Sequence, residues 1–326
     1  MKDVTITQLK NRIKGYEKFA QQYKEIWKRN IEILDGKHYP DNYTDEDKIV
    51  INHIWSIVNT LIADIYIANP YITINPTKDV TEAKTDIYEN LINYIYRKIR
   101  FKYEMRKVIK DVFYTNFGVL KFGYIPKGIF DYNEYVCEDS VFSLRINPKN
   151  LIIDPEADDF ETAKWVGHKY ILPYDDVMED EFFENTKELK ASVSQMYFST
   201  DELQDEDIEK INTDVKRVTL NEIWDKRTQR YYIIVDGYNK YLKNEKFPYK
   251  IKGLPFKFLE FDTHPTKLFG VPFITQIFPM NEELNKTRTQ QMRHRARALA
   301  KILFEEGMID VGSFVLFSIC EIFICC

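Results

Sequence analysis

The sequence contains little glycine and little cysteine. Glycine supplies only 11 of 326 residues, which leaves little material for glycine-rich phosphate-binding loops, and no Walker-type, GxGxxG or GxSxG string occurs. Three of the four cysteines lie in the last seven residues, so a disulfide framework is excluded for the body of the protein and a reducing compartment is expected. The first residues lack the apolar stretch of a secretory signal, and residues 1–300 lack an apolar run of membrane-spanning length.

The chain does contain ample apolar material. Hydrophobic residues make up 44% and charged residues 30%, a composition that argues against a disordered chain and predicts a packed core. The length predicts about two domains. Basic and acidic side chains number 46 and 51, so the net charge is −5, which argues against a globally basic nucleic-acid coat.

The charge is distributed unevenly along the chain. Residues 175–214 carry fourteen acidic side chains and three lysines, a net charge of −11 that leaves +6 for the rest of the protein. Such a run predicts a solvated helical face, and the alternative is a surface that repels or steers a polyanion. By contrast, residues 284–301 carry six lysines and arginines and no acidic residue.

Hydrophobic periodicity predicts long helices at both ends of the chain. Apolar residues at steps of three and four predict an amphipathic helix over residues 5–34, and a largely apolar helix over residues 54–68 is expected to be central. A last helix is predicted over residues 272–303. A third helix has an apolar residue at every fourth position, namely Ile87, Leu91, Ile95 and Ile99.

Strand composition in the middle of the chain makes the expected fold class α+β, mainly helical. Residues 118–125 and 135–146 have strand composition and begin a small β-rich region. A β-meander is predicted over residues 217–224, 230–235 and 238–242, with Asp236 and Gly237 as its tight turn.

The clearest candidate for a functional surface is the predicted last helix. At about 100° per residue, four of its cations share one face within about 80°, namely Lys286, Arg293, Arg297 and Lys301. An apolar seam is predicted on another side, formed by Leu284, Met292, Leu299 and Leu303. The cationic stripe favours contact with DNA phosphates, which does not depend on base sequence. The alternative is a surface helix whose cations pair with the carboxylates of a neighbour.

Patterns that carry catalysis or bind metals are absent. Each of the five histidines stands alone, without the i, i+4 partner of a helical zinc site. The string from Asp154 imitates the start of a calcium loop, but it has Asp159 in place of glycine and Trp165 in place of glutamate. Acid pairs at 175–176 and 206–207 could hold magnesium in a DNA-processing nuclease, which is the rival function. We expect no catalytic residue, metal, cofactor or small-molecule substrate.

Several strings, taken in their order, carry a resemblance to a known family. They are NIEILDG (30–36), KIVIN (48–52), ANP (68–70), NFGVLKFGY (116–124), RINPKNLIIDP (145–155), NEIWDK (221–226), GLPF (253–256) and QIFPMNEELNK (276–286). The chain resembles the portal proteins, or head-to-tail connectors, of tailed bacteriophages, and is most similar to those of short-tailed phages. The resemblance covers roughly residues 10–305, and the order of the strings carries it rather than any single one.

The resemblance implies a division of the chain into regions. These are a wing-like α+β region (1–173), an acidic helical segment in the first stem region (174–215), a clip-like β-meander (216–263) and a stem or channel helix (264–305). In this arrangement the four cations of the last helix face the DNA channel.

The resemblance also implies a structural, non-enzymatic function. Portal proteins form a ring, typically a dodecamer, at one capsid vertex, and double-stranded DNA passes through it during packaging and ejection. The implied partners are further copies of the chain, double-stranded DNA, the terminase large subunit, the major capsid or scaffolding protein and a tail adaptor. The protein is therefore expected in the virion, after assembly in the host cytoplasm.

The C-terminal residues depart from this family. Portal proteins normally continue well beyond this point, whereas residues 311–326 are apolar, rich in cysteine and carry Glu321 as their single charge. We expect a C-terminally truncated portal protein in which residues 306–326 form an aberrant apolar tail that arises from a shifted reading frame. The alternatives are a membrane tail anchor and a buried strand.

Overall fold

The computed structural model of the chain describes residues 4–40, 48–66, 71–76, 82–125, 128–131, 134–137, 140–191, 216–248 and 253–298. The helices within these residues are α1 (Ile6–Leu34), α2 (His53–Ile65), α3 (Glu82–Lys98), α4 (Phe101–Thr115), α5 (Tyr174–Glu179) and α6 (Phe273–Arg297). The strands are β1 (Phe117–Ile125), β2 (Gly128–Asp131), β3 (Glu134–Cys137), β4 (Ser140–Ile146), β5 (Leu151–Ile153), β6 (Trp165–Pro173), β7 (Arg217–Asp225), β8 (Arg230–Val235), β9 (Lys243–Lys246) and β10 (Phe256–Glu260). The protein therefore mixes helix and sheet, consistent with the predicted α+β class.

The strands pair in antiparallel sheets. β1 lies between β10 and β4 in a three-stranded sheet, and β5, β6, β7, β8 and β9 follow in this order in a five-stranded sheet. β2 and β3 form a separate hairpin. The longest pairing joins β6 to β7, where Trp165 lies opposite Asp225 and Pro173 opposite Arg217. Since every pairing in the described residues is antiparallel, this part of the chain lacks the parallel crossovers of an α/β fold.

The first helix forms one wall of the core. Thr5 caps it, because its hydroxyl accepts from the Gln8 N–H at 3.3 Å while its own N–H donates to the Gln8 side chain at 3.0 Å. The predicted apolar stripe is buried over Leu9, Ile13, Tyr16, Ala20 and Trp27. Trp27 packs edge-on against Phe117 and Phe269, with ring centroids 5.4 and 5.3 Å apart. These contacts join α1 to β1 and to the loop before α6.

The second helix is less buried than the sequence predicted. α2 buries Ile54, Val58 and Ile62, which lie on the side that meets α1, α4 and α6. The prediction of a central helix is wrong, because neighbours cover only this one side. The apolar residues left exposed on α2 are Trp55, Ile57 and Ile65.

The third helix is turned outward. The period that predicted α3 is confirmed, but Ile87 and Leu91 from its apolar stripe are exposed. Thr85 and Asn93 occupy the buried side instead. Periodicity identifies the residues that share a face of a helix, and it leaves open which face packs.

The predicted β-meander is shifted and belongs to a larger sheet. Its third strand is Lys243–Lys246, which pairs with β8, instead of residues 238–242. Gly237 does turn the chain with a φ of 80°, but the connection continues to the buried Leu242. β10 pairs with β1 and not with the meander. Each of these two sheets therefore contains strands from before residue 173 and strands from after residue 215, on either side of the expected region boundaries. The division into regions stays a prediction.

The acidic segment is described only in part. α5 and a 3₁₀ turn at Thr186–Glu188 are its helical elements up to residue 191, and Val177 of α5 is buried. The prediction of a longer helical face falls on residues 192–215, which lie outside the described residues, as does the expected tail at 306–326.

Buried ion pairs connect the elements. Lys121 Nζ on β1 lies 2.5 Å from Glu222 Oε1 on β7 and so links the two sheets, and the Trp224 indole donates to the same oxygen at 2.6 Å. Burial alone would raise the pKa of Glu222, but the Lys121 ammonium holds it below its usual value. Arg145 on β4 donates two hydrogen bonds of 2.6 Å to Asp111 on α4. Removing one partner of such a pair strands a buried charge, at a cost of about 3–5 kcal/mol.

Candidate nucleic-acid interface

The predicted basic helix is α6. Pro272 is its N-terminal cap residue, and Pro279 lies inside the helix without ending it, although a proline there removes one backbone hydrogen bond. The helix ends at Arg297, whereas the sequence predicted an end near residue 303. Residues 299–326 lie outside the described part of the chain.

A polar side of α6 faces the protein. Its buried residues beyond the first turn are Asn281, Asn285 and Thr289, spaced by four. The Asn285 side-chain oxygen accepts from the Ile51 N–H at 2.9 Å, and the Thr289 hydroxyl accepts from the Ile49 N–H at 3.1 Å. The helix thus satisfies two backbone N–H donors of the partly buried, extended stretch before α2.

His38 completes this contact from the end of α1. The ring is buried, its Nε2 lies 3.0 Å from the Ile33 carbonyl oxygen, and its Nδ1 lies 3.0 and 2.8 Å from the amide nitrogens of Asn281 and Asn285. Because both amide nitrogens donate, Nδ1 accepts and the proton of the neutral ring sits on Nε2. Burial lowers the pKa of His38 below its usual value, so the ring is neutral at pH 7.

The predicted apolar seam of α6 stays a prediction, because only half of it is described. Leu284 and Met292 are only half-buried, and Leu299 and Leu303 lie outside the described residues. The first part of α6 packs through apolar side chains such as the buried Ile274. From Asn281 onward its buried residues are polar, and two of them accept from backbone N–H groups that leucine could not satisfy.

The cationic stripe lies beside the buried face of α6. Lys286 and Arg297 are exposed, Arg293 is half-buried, and Lys301 is outside the described residues. Lys286 Nζ pairs with Glu282 Oε1 one turn earlier at 3.0 Å. The sequence reasoning missed this pair because Glu282 precedes the acid-free stretch that begins at residue 284. An exposed pair of this kind stabilises a helix by only about 0.3–0.5 kcal/mol, so Lys286 can exchange Glu282 for another anion.

A second cationic edge was missed by the sequence reasoning. Arg288 and Arg295 are exposed and lie about half a turn away from the first stripe, on the other edge of the outward side. The exposed residues between the two edges over residues 287–294 are Thr287, Gln290, Gln291 and His294, and Glu283 is exposed on the same side nearer the start of the helix. The signal was present in the sequence, since these arginines belong to the same acid-free run. The outward side of α6 therefore presents cations along both of its edges.

Other arrangements that could carry chemistry are weak. In the part of the chain that the structure describes, no group of three or more His, Cys, Asp or Glu is placed to hold a metal ion. Asp154, the start of the calcium-like string, accepts from the N–H groups of Glu156 and Lys164 at 3.2 and 3.4 Å and so closes a turn. Asp175 and Asp176 lie in the first turn of α5, and the pair at 206–207 falls outside the described residues.

None of the described helices is both long enough and apolar enough to span a membrane. The tail-anchor alternative concerned residues 308–326, which are outside the described part of the chain.

The fold and α6 define a mixed helix-and-sheet protein with a cationic surface helix. The sequence model of the phage P22-like portal protein family matches residues 35–256, which is more than half of the chain. The chain therefore belongs to the phage P22-like portal protein family. A search of curated proteins finds no match to it. The matched residues run from the end of α1 to the start of β10 and end before α6.

Family membership confirms the resemblance drawn from the ordered strings. It indicates a structural role as a phage portal protein, and suggests that the chain is not an enzyme. It also implies a homo-oligomeric ring that interacts with the capsid and the terminase, and a location in the virion capsid.

The buried state of His38 predicts a pH dependence of stability. His38 titrates near 6.5 when unfolded and has a lower pKa when folded, so its stabilising effect is complete above about pH 6.5 and falls as the pH decreases. Replacing it with glutamine should reduce the slope of the unfolding free energy between pH 6.5 and 5 by up to about 1.4 kcal/mol per pH unit. Urea unfolding at a series of pH values measures this slope.

The matched control for this prediction is His53→Gln. His53 is exposed, so this control makes the same replacement without removing a buried ring. Burial also lowers the pKa of His168, to about 4, so the wild-type protein loses stability from both rings. A His38→Gln protein with the wild-type slope would contradict the assigned neutral ring.

Proposed function

We propose that the chain is a portal subunit that forms a closed ring at one vertex of a phage capsid and provides the conduit for double-stranded DNA. The observation that carries this proposal is the match to the phage P22-like portal protein family over residues 35–256. Packaging and ejection of DNA would both proceed through the ring. The proposed partners are the terminase large subunit, the major capsid or scaffolding protein and a tail adaptor, and the ring is proposed to be a dodecamer.

The regions of the chain receive roles within this proposal. Residues 1–173 would form the wing, residues 174–215 the acidic first stem region, residues 216–263 the clip that meets terminase and adaptor, and residues 264–305 the stem or channel helix. β6 lies in the proposed wing and β7 in the proposed clip, and nine residue pairs connect the two strands. The wing and the clip would therefore move as one unit.

The proposal assigns the DNA-facing role to α6. Lys286, Arg293, Arg297 and Lys301 would contact phosphates, and the exposed Arg288 and Arg295 support this role by adding a second cationic edge. Lysines and arginines that neutralise phosphates bind DNA without regard to sequence, which suits a conduit. The net charge of −5 favours passage over capture, because a subunit that neutralised many phosphates would hold the duplex in place.

Assembly tests the portal function itself. The purified chain should form closed rings of uniform copy number, because each subunit of a portal is completed by its neighbours. Mass photometry and negative-stain electron microscopy measure mass and shape, on the 326-residue chain and on a longer version extended past residue 326. If the longer version remains monomeric under all conditions, the proposed function is wrong.

Replacing the cationic stripe tests the role of α6. Changing Lys286, Arg293, Arg297 and Lys301 to glutamine should leave the fold intact and weaken DNA binding by the assembled ring, with impaired packaging. The slope of log affinity against log salt should fall by about 0.9 for each phosphate that the variant ring no longer neutralises. Fluorescence anisotropy with duplex DNA at several salt concentrations measures this slope.

A matched control uses four exposed lysines elsewhere, Lys164, Lys187, Lys190 and Lys246, changed to glutamine. They alter the net charge equally and should leave the slope unchanged. A third variant, Arg288→Gln with Arg295→Gln, tests the second edge. If the stripe variant packages DNA normally and keeps the wild-type slope, the stripe is an ion-pairing face between subunits, for which residues 175–214 supply carboxylates.

A further inference from the structure

The helix α3 is held with its polar side inward. Asn93 pairs with the backbone of Ile72, accepting from its N–H at 3.0 Å and donating to its carbonyl oxygen at 2.9 Å. Glu89 accepts from the Ile74 N–H at 3.0 Å and from the Tyr71 hydroxyl at 2.7 Å. These two hydrogen bonds hold the pKa of Glu89 below its usual range, so the side chain is a carboxylate at neutral pH. Hydrogen bonds to an extended stretch of chain therefore fix the rotation of α3 about its axis.

The opposite side of α3 presents large apolar side chains to solvent. Ile87, Tyr88, Leu91 and Tyr94 are 66%, 55%, 49% and 55% exposed. At about 100° per residue they lie within a sector of about 120°, which makes a continuous stripe. Polar residues border this stripe, namely Lys84, Asn90 and Lys98. An apolar centre with a polar rim is the usual anatomy of a protein–protein interface, and tyrosine is enriched there.

We propose that this apolar stripe of α3 is a contact surface for a second copy of the chain. Rotating α3 to bury the stripe would break the hydrogen bonds of Asn93 and Glu89, so the fold keeps the stripe outside. A second copy is the occupant because family membership implies a homo-oligomeric ring, in which every subunit contacts two neighbours. The inference rests on the ring proposed above and names a surface through which its subunits meet.

The requirement of a closed ring supports this assignment. A ring of more than two copies is built from head-to-tail contacts, so each copy needs two different surfaces. The chain exposes apolar side chains on a second helix, since Trp55, Ile57 and Ile65 of α2 are 56%, 44% and 49% exposed. At about 100° per residue, however, Trp55 and Ile57 lie about 160° apart, and Ile65 lies on the same side as the buried Ile54 and Val58, so α2 does not present one apolar outward side. The α3 stripe therefore supplies one of the two surfaces, and the other side of α3 packs against α4.

Photo-crosslinking in the full chain tests directly whether a second copy of the chain contacts the apolar stripe of α3. With p-benzoylphenylalanine in place of Leu91, irradiation of the assembled protein should give a covalent product of two chains, which denaturing electrophoresis and mass spectrometry identify. Cross-links confined to the same chain, for example to residues 299–326, would overturn the inference. Assembled protein that gives no product of two chains would overturn it as well.

Glutamine substitutions measure the contribution of the stripe to assembly. Ile87→Gln with Leu91→Gln should raise the concentration for half-assembly by about tenfold or more, because contacts at the centre of an interface carry most of its affinity. The thermal unfolding of the monomer should not change, since both side chains are already exposed. The controls are Asn90→Gln on the rim and the apolar replacement Ile87→Leu with Leu91→Met, and both should assemble like the wild type.

These measurements separate the inference from the proposed function. If neither the wild-type chain nor the version extended downstream assembles, the proposed ring and the proposed function are both wrong. If the wild type forms rings and the double glutamine variant forms them at the same concentration, only the assignment of α3 is overturned.

Discussion

The orientation of α6 depends on one buried polar contact, in which His38 and the backbone before α2 meet Asn281, Asn285 and Thr289. Hydrogen bonds demand a specific geometry, so this contact fixes the rotation of the helix more narrowly than an apolar seam would. The fixed rotation leaves the cations of α6 along the edges of its outward side. The contact therefore connects a neutral histidine in the core to the surface that we propose for DNA.

The same principle applies at α3, and together the two helices suggest a chain that completes its burial in an assembly. In both helices polar side chains satisfy an extended stretch of backbone and so fix which residues face outward. On α6 the outward residues include cations along two edges, which suit a polyanion, together with the exposed Glu283. On α3 they form an apolar stripe, which suits another protein surface. The two sheets, in contrast, are joined to each other by the buried pair of Lys121 and Glu222.

The sequence predicted the parts of the fold that depend on local pattern. The stripe of α1, the strands β7 and β8 and the order of family strings were all readable from residues near one another. The inward faces of α2, α3 and α6 were not, because they depend on partners far along the chain, such as Ile51 for Asn285 or Ile72 for Asn93. The pairing of β10 with β1 was missed for the same reason. At α6 the composition revealed the cations, whereas their arrangement along two edges required knowing which side is buried.

The central claim is that α6 of each subunit faces the DNA that passes through a portal ring. A map of the assembled ring by electron cryomicroscopy, at a resolution that separates helices, tests this claim most directly. The account predicts that the outward side of α6, with Lys286, Arg288, Arg295 and Arg297, borders the central opening. A ring in which α6 lies on the outer rim, or is enclosed between subunits, would contradict it.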